Sequence, residues 1–255
     1  MNVRRLLGKL QGAVPPATSG AVVLAYHLVE AGTDSPVDVS LQTFQRQLDV
    51  LAKLRVLSLS ELLQPGQSTD GAPAIVLTFD DAYRNFFDVV WPELAARKLP
   101  CTLYAPVAFV SGAGRAPIKG TSLQACSWSQ LRELADAGVE IGSHGVDHLN
   151  LRRAAPQAAE RELAASRAEL EQKLGRAVTS FCYPQAKYDA EAVARARKHY
   201  SSAVVGGGRR YRATDDPLRI PRFPIRRDEP AFENMLSSRI WLVEALSSQL
   251  RQLRA

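Results

Sequence analysis

The stretch Ala74-Ile75-Val76-Leu77-Thr78-Phe79-Asp80-Asp81 is apolar for six positions, Thr78 excepted, and then ends in two adjacent carboxylates. A run of this length, preceded by the polar loop Gln64–Pro73, reads as a strand buried on both faces, as parallel strands covered by helices are. Runs of the same kind recur on either side, at Ala21–Ala25, Val56–Leu59, Leu99–Tyr104, Val139–Gly142, Thr179–Tyr183 and Ser202–Val205. Ile220-Pro221-Arg222-Phe223 is a further strand end.

Helical patterns separate them. Leu41–Lys53 follows the cap residue Ser40, and Arg84–Arg97 must kink or break at Pro92. Another helix begins at Ser127 or Ser129 and stops at Gly138. Pro156–Leu174 ends at Gly175, and Ala190–His199 follows. Strand and helix alternate along the chain, with an irregular insertion at Val110–Cys126. The expected fold class is therefore α/β, a distorted (β/α) barrel of about seven strands.

In such a barrel, loops at the carboxyl ends of the strands converge on a pocket. Asp80 and Asp81 stand at one such end. Two acids this close repel unless a cation or a proton offsets them. The competing reading is an N-cap for the helix that follows. Gly142-Ser143-His144-Gly145-Val146-Asp147-His148 also begins where a strand ends, and it holds two of the four histidines, four apart. On a turn or short helical segment that spacing puts both rings on one side. Imidazoles with a carboxylate suit zinc, cobalt, nickel or iron, and three protein ligands leave room for water and substrate.

His27 closes Leu24-Ala25-Tyr26-His27, past a third strand. Alone it reads as a structural histidine; three such strand ends in one barrel argue for a shared pocket. His199 ends a basic helix, where it complements the dipole, and is left outside the site. These parts suffice to hydrolyse an amide or an ester. A metal polarises the carbonyl and lowers the pKa of its water, a carboxylate takes the proton, and a histidine protonates the departing nitrogen. With Asp81 on the metal, Asp80 is free as the base, and His27 is the spare histidine for the acid.

The 255 residues are 46% hydrophobic and 23% charged, which is a globular balance with ample core material. The net charge of +6 favours anionic partners. The arginine pairs Arg152–Arg153, Arg209–Arg210 and Arg226–Arg227 have no interleaved aromatics, so no nucleic-acid surface is expected. Cys101, Cys126 and Cys182 form no CxxC pair, and Cys101 and Cys182 read as small buried hydrophobes. Residues 1–19 are expected to be a basic N-terminal segment, 20–227 the barrel, and 228–255 a helical segment packed on it. The N-terminus lacks the apolar core of a signal peptide, so the expected location is cytoplasmic. Leu6, Leu7 and Leu10 with Arg4, Arg5 and Lys9 could give peripheral contact with the inner face of the membrane. Oligomeric state is not legible.

Thr78-Phe79-Asp80-Asp81, His144-Gly145-Val146-Asp147-His148 and Phe181-Cys182-Tyr183-Pro184, in this order and separation, resemble the polysaccharide deacetylase family (carbohydrate esterase family 4, the NodB-homology group) over roughly residues 20–225. The resemblance implies one divalent ion, zinc first, cobalt or nickel also, and removal of acetyl groups from acetamido sugars. An acetylated glycan or a lipid-linked sugar is the expected substrate. It places the base on Asp80 and metal ligands on Asp81, His144 and His148. The family's usual C-terminal leucine-x-histidine is missing, but Tyr26-His27 resembles an N-terminal pair of the exopolysaccharide-deacetylase subgroup. The proline motif reads Tyr183-Pro184-Gln185-Ala186, where the family has tyrosine-glycine after the proline; Gln185 can still offer its backbone N–H to an oxyanion. The segment also lacks the arginine that steadies the base, for which Arg222 is the substitute unless it makes only a surface salt bridge. Gly145 replaces the usual serine or threonine after the first metal histidine. Three alternatives stay open: an O-acetyl esterase or a deformylase acting on a sugar, which would differ little in residues, and a catalytically weakened carbohydrate-binding relic, which Gln185-Ala186 and the missing C-terminal histidine suggest.

Overall fold

The alternation closes into a ring. The computed structural model describes residues 20–67, 74–227, 232 and 236. Its strands are β1 (Val22–Tyr26), β2 (Leu28–Val29), β3 (Asp38–Val39), β4 (Val56–Leu57), β5 (Ile75–Phe79), β6 (Thr102–Ala105), β7 (Glu140–Ser143), β8 (Ser180–Cys182), β9 (Ser202–Gly206) and β10 (Ile220–Pro224). The order β1-β10-β9-β8-β7-β6-β5 is closed by pairing of β1 with β5, all parallel, which makes the expected seven-stranded barrel. β4 pairs with the first residues of β5, and β2 with β3 forms a separate small sheet. Closure leaves the ring without a free edge.

Side-chain alternation along the strands sorts the core into two shells. Val23, Val76, Tyr104, Cys182, Val204 and Ile220 pack together inside the ring. Their neighbours Val22, Leu24, Ile75, Leu77, Phe181 and Phe223 join the larger cluster under the helices. The helices obey local rules. Ser40 Oγ accepts from Thr43 N–H at the start of Leu41–Leu51. Ser127 and Gln130 form a capping box before Trp128–Asp136. Pro156–Leu174 ends on Gly175 at φ 66°. Pro92 falls in the first turn of the helix Trp91–Ala96, directly after a wide π-turn at Phe86–Val90; Val90 and Trp91 keep right-handed helical angles, so the proline is taken up by a change of helix type rather than a break.

The basic segment 1–19 lies outside the described residues, as does most of 228–255. Phe232 is buried and Leu236 packs against the outer shell. Among the described residues no helix is long and apolar enough to cross a membrane.

Candidate functional site

The same alternation that fills the barrel builds its open end. On β5, Val76 and Thr78 face the interior, and Asp80 is next in that series; on β8, Ser180 leads to Cys182; on β10, Ile220 leads to Arg222. Parallel register then sets these ends side by side. Tyr26 lies opposite Phe79, so His27 and Asp80 leave the ring together, and Asp80 N–H donates to Tyr26 O at 3.0 Å. Ser143 lies opposite Phe181, so His144 and Cys182 leave together.

Asp80 and Arg222 form a buried bidentate pair, with Nη1 to Oδ1 at 2.7 Å and Nη2 to Oδ2 at 2.8 Å. Arg222 also donates to Thr78 Oγ1 at 2.9 Å and to Cys182 Sγ at 3.0 Å. Burial alone would raise the Asp80 pKa; the charge and hydrogen bonds of Arg222 outweigh it and hold the carboxyl well below its ordinary range. Arg222 is 5% exposed, which removes the surface-salt-bridge reading. His27 Nε2 stands 3.7 Å from Asp80 Oδ2, and its Nδ1 is buried with no hydrogen-bond partner.

Asp81 reaches the site by a different route. It and Ala82 take left-handed backbone angles, φ 74° and 48°, and the helix begins at Arg84, with Tyr83 rather than an acid directly before it. Neither acid therefore caps that helix, and the capping alternative falls. The turn brings Asp81 Oδ1 to 3.5 Å from His144 Nε2 and 3.7 Å from His148 Nε2. These separations are too long for hydrogen bonds, and Oδ1 is buried without a hydrogen-bond partner. Two ligands each at ~2.1 Å from a tetrahedral ion would be about 3.4 Å apart, so the spacing fits a cation between them.

Ring orientation agrees. His144 Nδ1 lies 2.8 Å from the Cys182 carbonyl oxygen, to which only a protonated nitrogen can donate, so in the neutral ring it is Nε2 that points its lone pair toward Asp81. Burial, with His144 beside it, pushes His148 down to about 4, so its imidazole is neutral at pH 7, as a ligand must be. Against the pull of burial, Cys182, Asp81 and Asp80 hold His144 up. The pocket attracts positive charge.

The proline motif turns tightly beside this centre. Gln185 and Ala186 are both left-handed, φ 58° and 53°, so the turn forms without the glycine. Its own hydrogen bonds run from Ala186 N–H to Tyr183 O and from Lys187 N–H to Pro184 O, and neither uses the Gln185 N–H. Tyr183 is buried in the outer shell, edge-to-face with Phe181 and tilted against Tyr188, and its hydroxyl has no partner. A cavity of about 900 Å³ runs from His148 and Gln185 along the insertion to Arg115 and Lys119.

Two residues were missed. Cys182, read as a small hydrophobe, touches Arg222 and lies 3.6 Å from Asp80 Oδ2; its place two residues before Pro184 was the available signal. Glu162, on the helix Pro156–Leu174, is fully buried behind the histidine loop and carried no local signal.

A family model described as polysaccharide deacetylase matches residues 67–204. YxkH of Bacillus subtilis (strain 168), named as a polysaccharide deacetylase, is 24% identical over 187 residues, 69% of this chain; the chain spans 60% of that relative's length. Among solved structures, the Streptococcus pyogenes deacetylase PplD in complex with acetate superposes with TM-score 0.74 at 21% identity, over 85% of this chain and 96% of that one. IcaB from Ammonifex degensii gives TM-score 0.71 at 23% identity, over 88% and 97%. At such identities the likeness shows the fold alone.

Proposed function

The chain belongs to the polysaccharide deacetylase family, and on that premise we propose that it is a metal-dependent hydrolase removing N-acetyl groups from an acetamido sugar in a polysaccharide, oligosaccharide or lipid-linked glycan. The observation that carries the metal reading is Asp81. Its carboxylate is 2% exposed, Oδ1 has no hydrogen-bond partner, and two imidazole nitrogens face that atom. A buried carboxylate in this state calls for a cation. Asp81, His144 and His148 would hold one divalent ion, zinc first by donor type, cobalt or nickel also suited.

When bound, such an ion supplies Lewis acidity toward the acetyl carbonyl and toward water. The chain's own residues supply the rest. Asp80, held ionised and oriented by Arg222, accepts the proton of the attacking water. His27, beside Asp80 at the rim, returns a proton to the departing nitrogen. The Gln185 N–H, in the turn made by Tyr183 and Pro184, is the oxyanion donor. The cavity beside His148 and Gln185 is the glycan groove, with Arg115 and Lys119 at its far end.

The test pairs two variants on an N-acetylated oligosaccharide, reading released acetate and bound metal. Asp81→Asn should lose the metal. Asp80→Asn should keep it and lose turnover by about 10²-fold or more. Zinc at 100 times its Kd should stabilise the apo wild type by about 2.7 kcal/mol and Asp81→Asn much less. Equal metal loss in both variants, or Asp80→Asn turnover within ~3-fold of wild type, would reject the assignment.

A further inference from the structure

Glu162 is a glutamate with no exposure at all, buried on the inner face of a 19-residue helix. Its carboxylate faces main chain. Oε2 accepts from Val146 N–H at 3.0 Å, Asp147 N–H at 3.1 Å and Leu149 N–H at 3.4 Å; Oε1 accepts from Asp147 N–H at 3.0 Å. Burial pushes the carboxyl pKa up while those N–H groups pull it back.

These amides belong to the segment between His144 and His148 and the residue just past it. The rest of that backbone is also tied. Gly145 N–H donates to Ser143 Oγ at 3.2 Å, and the Gly145 and Val146 carbonyls accept from Val107 and Ala108 N–H at 3.0 Å each. The loop thus hangs between the start of the short helical turn Val107–Val110 on its carbonyl side and one carboxylate on its amide side. Gly145 completes the fit. It sits at φ 83°, and a Cβ there would come within 2.5 Å of Glu162 Oε2.

We propose that Glu162 is the positioning residue of the metal centre: it templates the His144–His148 loop, and Gly145 stands where the usual hydroxyl residue would be because the carboxylate occupies that space. His148 is held at φ 54°, a left-handed conformation uncommon for any residue with a side chain, and the bonds on either side of it fix it there. This rests on the metal reading of Asp81, His144 and His148. Glu162 touches neither metal nor substrate; it acts through the backbone that aims two imidazoles, as supporting residues around metal ligands do.

The test is zinc and cobalt titration of the apo protein, comparing wild type, Glu162→Gln and Gly145→Ala. Glu162→Gln keeps the shape but turns an amide NH2 toward backbone donors. It should weaken metal affinity by ~10–100-fold and alter the cobalt d–d spectrum, which mere loss of stability would leave unchanged in the folded fraction. Gly145→Ala should do the same, and the double variant should be no worse than the poorer single one. Hydrogen exchange on the wild-type apo protein needs no variant: Val146, Asp147 and Leu149 amides should be protected before metal is added. Wild-type-like affinity and spectrum in Glu162→Gln, or free exchange of those amides, overturns the proposal. If wild type itself binds no ion, the metal reading falls and the templating is judged on exchange alone.

Discussion

Replacing Arg222 by methionine tests the deepest electrostatic commitment in the molecule. The guanidinium and the Asp80 carboxylate are about equally buried, with 6% and 5% side-chain exposure, and joined by two hydrogen bonds near 2.75 Å. Arg222→Met keeps most of the apolar stem but leaves Asp80 as an unpaired buried charge. Removing one partner of such a pair costs about 3–5 kcal/mol. For a domain of this size that lowers Tm by about 6–20 °C. The assay is urea unfolding of the metal-free protein, with an unchanged m-value as the control for two-state behaviour.

The sign with pH follows from linkage. In wild type the Asp80 pKa is depressed, so the pair's contribution is present above the unfolded carboxylate value and is lost as pH falls through the folded one. In the variant, burial acts without the arginine and the folded pKa rises, so its penalty is relieved in acid. The deficit should therefore be largest near neutrality, begin to shrink as pH falls through the variant's raised value, and keep shrinking below the ordinary carboxylate range as the wild type loses its own contribution. Arg222→Met combined with Asp80→Asn should recover more than half of it. A deficit under about 1 kcal/mol, the scale of an exposed pair, or a double variant as unstable as the sum of its parts, would refute the reasoning.

His27→Ala should keep metal and lose ~10²–10⁴-fold in turnover on an N-acetyl substrate, with a much smaller loss on an activated acetyl ester whose leaving group needs no proton; equal losses on both would remove His27 from the mechanism. Gly142→Ala would set a Cβ 2.4 Å from the Tyr104 ring, itself under Arg222; thermal melts should show ~1–3 kcal/mol of overpacking loss, and a neutral variant would show that Tyr104 can move freely.

The barrel was legible because its strands are short, apolar and separated by well-signalled helices: Ser40, Ser127, Gly138 and Gly175 mark helix starts and stops by local chemistry alone. Ala190–His199 and Pro156–Leu174 appear with the expected ends. Asp80, Asp81, His144 and His148 were legible because each follows an apolar run at the rim. The Arg222 partnership was offered only by the resemblance, evenly against a surface salt bridge, since nothing near Ile220-Pro221-Arg222 says which strand end it meets; the ring order, with β10 beside β1 and β1 beside β5, delivers it. Glu162 was invisible for the same reason. On a helix whose first turns read Pro156-Gln157-Ala158-Ala159-Glu160-Arg161-Glu162, one acid among others looks solvated until the tertiary fold buries it.

Backbone conformation shows where local rules give way. Among the described residues seven non-glycines have positive φ, and five of them, Asp81, Ala82, His148, Gln185 and Ala186, are at the rim of this one pocket. Each such residue costs of order 1–3 kcal/mol and persists only where the surroundings impose it. The sequence conceals this, because the usual marker of a left-handed position is glycine and none of the five is one. Asp81 explains why. Strand alternation turns Asp80 inward, so the next residue would face outward into the helical layer. A left-handed residue is what swings the second acid back to the same pocket, and it must be the acid itself, since a glycine there would supply the bend without the carboxylate. The strain at Asp81 is thus the cost of bringing two adjacent acids, which alternation would send to opposite faces, into one pocket.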